Sequence, residues 1–161
     1  RDFKGLVIEK PILFSELSNI KRIRCAELFI LILNNNDEVF IIDECYNIPK
    51  LISFECSSSV KDIYCGNTHA VLLESNNTIW TINRAVNTGP SQIVGCGGFN
   101  IDKSDMFTLV KDVPDNIIDI ALGNDCSIIT NPEGVYCIGA DLKGGLFLDE
   151  SLYFSYQWNK A

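Results

Sequence analysis

Three segments of the chain repeat one order of apolar, small and turn-forming residues. They run from Ile20 to Phe40, from Val60 to Trp80 and from Ile117 to Tyr136. Self-similarity at a spacing of a few tens of residues is typical of repeat folds, in which each unit buries its apolar face only by stacking on its neighbours. The repeat therefore limits the possible folds more strongly than any single motif in the chain does.

Each unit begins with apolar residues that return on one side of an extended strand. The matching positions are Ile20, Val60 and Ile117, then Ile23, Ile63 and Ile120, then Cys25, Cys65 and Leu122. Since alternate side chains of a strand share a face, we expect Ile23, Ile63 and Ile120 to be buried at equivalent positions. A small residue follows in every unit, at Ala26, Gly66 or Gly123, and suits a tight connection to a second apolar run.

A polar turn then leads into a third strand that starts with a β-branched and an aromatic residue. The turns are at residues 35–37, 76–77 and 131–134, and their Asn, Asp and Gly residues tolerate the conformations that hairpins require. Fourth strands are predicted at Leu51–Cys56, Phe107–Lys111 and Leu152–Tyr156, and Pro11–Phe14 is predicted as the last strand of a preceding unit. Four short antiparallel strands per unit make a propeller blade. The predicted fold is all-β, a partial or shortened β-propeller of antiparallel four-stranded blades.

The units divide a single domain, residues 1–161, at about 18–56, 58–114 and 115–158. Their starts at residues 20, 60 and 117 give spacings of 40 and 57 residues, and the longer spacing comes from an insertion at Ala85–Asp105. Insertions in repeat proteins emerge as loops on one face and often carry binding function. Asn100, Asp102, Lys103 and Asp105 are therefore candidate partner-binding residues, and an inert loop is the alternative.

Charge provides a second candidate surface. The chain carries a net charge of −8, which disfavours direct binding to nucleic acid, because such binding requires positive charge to displace counterions from phosphates. The basic run Lys21, Arg22 and Arg24 is a candidate contact for an acidic partner. The alternative is a strand face that simply meets solvent.

Cysteine and histidine usage gives no sign of a catalytic, cofactor or metal site. The seven cysteines are odd in number and show no C-x-x-C spacing, so free thiols and an intracellular location, cytoplasmic or nuclear, are expected. His69 is the sole histidine, in a column that is apolar in the other units, and is predicted to be buried and hydrogen-bonded. We expect no enzyme activity, no cofactor, no metal and, since no apolar run reaches 18 residues, no membrane span.

The second unit resembles the repeat of the regulator of chromosome condensation family. The resemblance rests on Gly66, on His69 three residues later, on the aromatic-led strand at Ile79-Trp80, and on the glycine-bearing stretch Gly139–Asp149 of the third unit. It implies a propeller, of which three units and a leading strand are present, whereas the family ring has seven blades. It also implies guanine-nucleotide exchange on a small GTPase as one possible activity. Phe29 and Cys126 depart from the pattern at the position of His69, and a kelch-type propeller with Gly97-Gly98 and Gly144-Gly145 is the alternative alignment.

Three functions are compatible with these features. The first is a non-catalytic interaction scaffold that binds a protein or other macromolecular partner through propeller loops. The second is a guanine-nucleotide exchange factor for a small GTPase. The third is a component of a large ribonucleoprotein or chromatin assembly. Since three units cannot close a propeller, we also expect the two ends to be covered by a partner, by a second copy or by further chain.

Overall fold

Three antiparallel sheets make up the regular structure of the part of the chain described by the computed structural model. The described residues are 13–15, 17–43, 46–52, 54–84, 105–124, 126–140 and 154–160. The first sheet contains β1 (Ile20–Cys25), β2 (Phe29–Asn34), β3 (Val39–Asp43) and β4 (Tyr46–Ile52). The second contains β5 (Val60–Cys65), β6 (His69–Glu74), β7 (Ile79–Asn83) and β8 (Thr108–Leu109). The third contains β9 (Asp119–Leu122), β10 (Cys126–Asn131), β11 (Gly134–Ala140) and β12 (Phe154–Lys160).

Each sheet is a meander in which strands adjacent in sequence pair side by side, so the prediction of antiparallel four-stranded units is confirmed. We call the sheets blades 1, 2 and 3. Their registers match: Ile23 pairs with Ile32, Ile63 with Leu72 and Ile120 with Ile129. The polar hairpins also form as predicted, with Asp37 and Asn77 in the left-handed region at φ 62° and 68°.

The fourth strands were predicted less well, because no hydrophobic pattern marks them. β4 begins at Tyr46, five residues before the predicted Leu51, since pairing resumes at once between Asp43 and Tyr46. This outer strand accommodates Pro49, since an edge strand does not need every backbone N–H. β8 is only two residues long, and β12 ends at Lys160 rather than Tyr156. Leu13 and Phe14 lie outside any strand, and Pro11 and Ile12 lie outside the described residues.

The core lies between blades. Phe29, Leu31 and Leu33 of β2 belong to one buried cluster with Ile63, Leu72 and Ile82 of blade 2. The opposite face of blade 2 contributes Val71, Leu73 and Ile79 to a second cluster with Ile117, Ile120 and Ile129 of blade 3. Blade 2 is therefore covered on both faces, and all six residues of β6 are buried.

The prediction that Ile23 is buried is wrong, although its counterparts are buried as predicted. Ile63 and Ile120 are 0% and 5% exposed, whereas Ile23 is 54% exposed. The position points toward the preceding blade: Ile63 packs toward blade 1, and Ile120 packs toward blade 2. Among the described residues, no blade precedes blade 1, so the same column meets solvent there.

We expect alanine substitutions at Ile63 and at Ile23 to distinguish the buried position from the exposed one. Ile63→Ala should lower the free energy of unfolding by about 3 kcal/mol, because it leaves a cavity in the buried cluster. The matched change Ile23→Ala should cost about 1 kcal/mol or less, since much of that side chain is already in water. Urea titration of both variants measures the difference, and equal losses would contradict the packing described here.

Candidate partner-binding face

One edge of the three blades collects the connections that vary most between the units. In an antiparallel meander, the β1–β2 and β3–β4 connections leave from the same edge, and the corresponding connections of blades 2 and 3 do likewise. The backbone N–H of Arg84, just after β7, donates to the carbonyl oxygen of Thr68 at 2.7 Å, which places the start of the insertion beside the β5–β6 loop. We call this edge the loop face; its described parts are residues 26–28, 66–68, 123–124, Asp43, Arg84 and Asp105.

Backbone hydrogen bonds join the loop face from one blade to the next. The N–H of Glu27 donates to the carbonyl oxygen of Asn67 at 3.1 Å, and the N–H of Asn67 donates to the carbonyl oxygen of Gly123 at 3.3 Å. The amide of Asn67 also donates to Asn124 Oδ1 at 2.8 Å. A Cβ at Gly66 would lie 2.5 Å from the carbonyl oxygen of Gly123, so this seam requires glycine. The face is therefore a connected surface across three blades.

Arg84 fixes the base of the insertion to this face. Its side chain is 4% exposed and forms ion pairs with Asp43 of blade 1 and, at 2.5 Å, with Asp105. Burial by itself lowers the pKa of Arg84, but the hydrogen bond to Asp105 and the charge of Asp43 outweigh burial and raise the pKa, so the guanidinium stays charged. Arg84 and Asp105 stand on either side of residues 85–104, so one cation holds both ends of that segment and ties them to blade 1.

Of the candidate residues in the insertion, Asp105 lies in this ion-pair cluster, with its side chain 59% exposed. Asn100, Asp102 and Lys103 lie outside the described residues. The role of Arg84 was missed by sequence reasoning, because a single arginine after a strand carries no motif. The signal that could have identified it is its position at the start of the insertion that lengthens the second repeat spacing.

The basic run lies in the seam between blades 1 and 2. Lys21 Nζ donates to the carbonyl oxygen of Val60 at 2.5 Å, and it lies 3.6 Å from Asp37 Oδ1. Arg22 and Arg24 lie 3.5 and 3.4 Å from the two carboxylate oxygens of Asp62. These side chains remain partly exposed, yet each makes a contact that joins β1 to its neighbours. Their location favours a role in holding the blades together over a free basic surface.

His69 crosses the seam between blades 2 and 3. The ring is 0% exposed, and Nε2 lies 3.2 Å from the Oγ of Ser127, so the prediction of a buried, hydrogen-bonded histidine is confirmed. Burial lowers the pKa of His69 to about 4, which leaves the ring neutral at physiological pH. Nothing in this geometry resembles a nucleophile and base pair facing a cleft.

A second buried ionisable group, Glu74, holds the linker between blades 1 and 2. Its Oε1 accepts a hydrogen bond from the backbone of Ser57 at 2.9 Å, and its Oε2 accepts one from Ser57 Oγ at 2.5 Å. Burial alone would raise the pKa of Glu74, but the hydrogen bonds from Ser57 and Cys56 outweigh burial and lower the pKa. The equivalent residues Asn34 and Asn131 cap their own hairpins, and Asn131 Nδ2 also donates to the carbonyl oxygen of Asp115, in the linker before blade 3, at 2.9 Å. This column is polar in all three units, which is the sequence signal that was overlooked.

The thiols lie apart from any cluster of ligands in the described ranges. Cys25, Cys56, Cys65, Cys126 and Cys137 are not in disulfide bonds, and burial raises the pKa of Cys65 to about 12. Cys45 and Cys96 lie outside the described residues. Within the described part of the chain, no group of three His, Cys, Asp or Glu side chains is placed to hold a metal ion. No helix in those ranges is long and apolar enough to cross a membrane.

Removal of the Arg84 side chain tests the ion-pair cluster. In Arg84→Met, the buried carboxylate of Asp43 loses its counter-charge, and we expect a loss of about 3–5 kcal/mol in the free energy of unfolding. The double variant Arg84→Met with Asp43→Leu should recover much of this loss, because no uncompensated charge remains. Chemical denaturation of the two variants provides the comparison, and a loss below about 1 kcal/mol in the single variant would rule out a buried clamp.

The lowered pKa of His69 makes stability depend on pH. The unfolded chain has the ordinary histidine pKa of about 6.5, so it binds a proton below that pH while the folded chain stays neutral down to pH 4. Stability due to this group is complete above pH 6.5 and decreases as the pH falls toward 4, by about 3 kcal/mol in all. In His69→Phe, which copies Phe29 of blade 1, this part of the pH dependence should disappear. Denaturation at pH 7.5 and pH 4.5 measures it, and identical slopes for the two proteins would contradict the assignment.

Comparisons with known proteins define the fold. No family model matches the sequence, and no curated protein matches it either. Solved structures do match: human WBSCR16, at 14% identity and TM-score 0.67 over 88% of this chain and 39% of that one; Prp20p of Saccharomyces cerevisiae, at 14% identity and TM-score 0.68 over 89% and 38%; and yeast RCC1 (Prp20) bound to Kap60, at 14% identity and TM-score 0.66 over 88% and 36%.

The chain spans about two fifths of the length of these structures. At 14% identity the likeness concerns the fold alone. At the level of the fold, this likeness confirms the resemblance that Gly66, His69 and Trp80 indicate. The three blades have the β-propeller fold of the regulator of chromosome condensation proteins.

Proposed function

We propose that the chain is a non-catalytic interaction scaffold that binds a protein partner through the loop face. The observation that carries the proposal is the buried Arg84, which ties both ends of the insertion 85–105 to blade 1 through Asp43 and Asp105. Burying a guanidinium and a carboxylate costs desolvation free energy, and a loop with no binding role would not require such a buried ion pair. A loop with a fixed base also loses less conformational entropy when a partner binds.

The partner contacts that follow from this proposal lie first in the insertion. Asn100, Asp102, Lys103 and Asp105 are its charged and amide-bearing candidates, and Asp105 is tied to the loop face through its ion pair with Arg84. Lys21, Arg22 and Arg24 are secondary candidates, because each already contacts a neighbouring group across the seam. The proposed setting is intracellular, cytoplasmic or nuclear, where unpaired thiols persist.

Similar structures support protein binding as the class of function. Prp20p was described with its binding to Gsp1p and histones, and yeast RCC1 (Prp20) was solved bound to Kap60. The net charge of −8 favours a basic protein as partner, so docking within a chromatin assembly is the second candidate. Guanine-nucleotide exchange is the third, and it requires that the partner's nucleotide-free state be bound more tightly than its nucleotide-bound state.

Deletion of the insertion tests the scaffold. Residues 86–104 are replaced by a short Gly-Ser linker, and binding to immobilised Gsp1p and to histones is measured by biolayer interferometry. The intact chain should bind at least one of them, and the deletion should weaken binding tenfold or more while the melting temperature stays nearly unchanged. Glu133→Ala, on the turn at the opposite edge of blade 3, is the control and should bind as the intact chain does. Full binding by the deletion variant would rule out the insertion as the partner-binding site.

Release of a fluorescent nucleotide from small GTPases separates the scaffold from the exchange factor. We expect the release rate to be unchanged by the chain, because a scaffold need not distinguish nucleotide states. A rise of tenfold or more would overturn the scaffold proposal in favour of exchange. If the chain accelerates nucleotide exchange and still does so after the insertion is deleted, the surface responsible lies elsewhere on the blades.

A further inference from the structure

Residues 54–59, which link β4 of blade 1 to β5 of blade 2, are attached to the β6–β7 hairpin by a serine. Ser57 donates from its backbone N–H to Glu74 Oε1 at 2.9 Å and from its Oγ to Glu74 Oε2 at 2.5 Å. The same Oγ accepts a hydrogen bond from Asn76 Nδ2 at 2.9 Å. Ser57 is exposed and Glu74 is 0% exposed, so this contact joins a surface hydroxyl to a buried carboxylate.

Attachment of a linker at this position does not require a negative charge. In blade 3 the equivalent residue is Asn131, whose Nδ2 donates to a backbone carbonyl of the preceding linker at 2.9 Å. In blade 1 it is Asn34, again a neutral amide. Burial raises the pKa of Glu74, but the hydrogen bonds from Ser57 and Cys56 outweigh burial and lower it, so Glu74 is ionised. A carboxylate makes the contact sensitive to negative charge added at Ser57, to which an amide would respond less.

The surroundings of Ser57 suit a protein kinase that selects acidic flanks. A kinase requires an exposed hydroxyl on a segment that can lie extended in its active site, and residues 54–59 lie outside any strand. No proline follows Ser57, and no lysine or arginine occurs in the five residues before it, which disfavours proline-directed and basophilic kinases. Glu55 lies two residues before it and is exposed.

We propose that Ser57 is a phosphorylation site and that its phosphate releases the linker from Glu74. In the transfer, Ser57 Oγ bonds to the γ-phosphorus of a nucleoside triphosphate, and the bond from that phosphorus to the β–γ bridging oxygen breaks. Nucleoside diphosphate leaves, and the hydroxyl proton passes to the catalytic base of the kinase. The product has no O–H to donate to Glu74, and it carries a charge of about −1.5 to −2 at pH 7 beside the buried carboxylate. Repulsion between the two anions opens the contact.

Release of Ser57 also affects the aromatic residue that the same linker carries. The ring centroid of Phe54 lies 6.3 Å from that of Trp80 and 5.7 Å from that of Phe107, and these rings belong to the apolar packing between blades 1 and 2. Phe54 is only three residues from Ser57, so an opened contact at Ser57 loosens this packing. The phosphate therefore acts as a switch on the seam between blades 1 and 2.

Phosphoserine encoded at position 57 of the chain tests the release. We expect the melting temperature to fall by about 4 °C or more, because a hydrogen bond is replaced by repulsion. Phosphoserine encoded at position 18 is the matched control. Ser18 is an exposed serine in the linker before blade 1, where the equivalent of Glu74 is the neutral Asn34, so the melting temperature should stay nearly unchanged. A chain with phosphoserine at position 57 that melts as the unmodified chain does would overturn the proposal.

Glu74→Gln separates charge repulsion from simple loss of the hydroxyl. The variant keeps an acceptor but removes the charge, so phosphoserine at position 57 should lower its melting temperature by less than half as much as in the chain with Glu74. Ser57→Ala removes the hydroxyl without adding charge, and it should lower the melting temperature less than phosphoserine does. Equal losses with and without Glu74→Gln would show that the two anions do not interact, and would overturn the release mechanism.

Kinase treatment tests the site itself. The folded chain is incubated with MgATP and a panel of purified acidophilic serine kinases, and phosphate is located by mass spectrometry in the tryptic peptide of residues 51–61. We expect at least one kinase to modify Ser57, and Glu55→Lys should slow that reaction at least about tenfold, because it removes the acidic flank. Phosphate found only on other serines, or no incorporation by any kinase of the panel, would overturn the assignment of Ser57.

Discussion

Apolar side chains packed between successive blades are the contact on which the rest of this structure depends. Strands within a blade exchange backbone hydrogen bonds, but a four-stranded sheet has two faces, and a neighbouring blade removes from water the face that it covers. Leu31 and Ile63 do this at the first seam, and Leu73 and Ile120 do it at the second. At roughly 25 cal/mol per Å² of apolar surface, this burial is the main favourable term that fixes the order and spacing of the sheets.

Polar contacts across the same seams determine how the blades are aligned. The pairs formed by His69 with Ser127 and by Arg84 with Asp43 span neighbouring blades at buried sites, where a shift of one residue would leave donors without acceptors. The backbone bonds from Glu27 to Asn67 and from Asn67 to Gly123 repeat the same step along the loop face. Apolar packing thus supplies most of the stability, and these few polar contacts supply the alignment that a binding face requires.

The sequence was informative wherever one residue type repeats in a column. The strands at Ile63 and Ile120, the hairpins at Asp37 and Asn77, and the buried histidine all followed from matching positions. Two features could not be obtained in this way. Burial of a column depends on whether a neighbouring blade is present, so Ile23 looked identical to Ile63 and is nevertheless exposed. The fourth strands lie at the outer edge, where little apolar surface is buried and the hydrophobic pattern fades, so β4 and β12 were misplaced.

The candidate face was only partly predictable for a related reason. The long insertion was visible as a break in the repeat spacing, and Asp105 is the last residue of its predicted range. The cation that holds its base was not visible, because an ion pair between Arg84 and Asp43 joins residues 41 positions apart through tertiary structure alone. The polar column of Asn34, Glu74 and Asn131 was present in the sequence, but its residues perform two tasks. Asn34 and Asn131 cap their hairpins, and Glu74 and Asn131 bind the linker that precedes their blade.

Complete burial of β6 has a consequence for how the molecule loses its structure. In stacked repeats each unit interacts only with its nearest neighbours, so the stability of a unit grows with the number of neighbours that cover it. Blade 2 has two such neighbours, and each outer blade has one among the described residues. Partial unfolding therefore starts at β1 or β12 and moves inward, and the amide protons of β6 become accessible to solvent last. The central blade acts as the cooperative nucleus of the array, and the outer blades can open transiently while it remains intact.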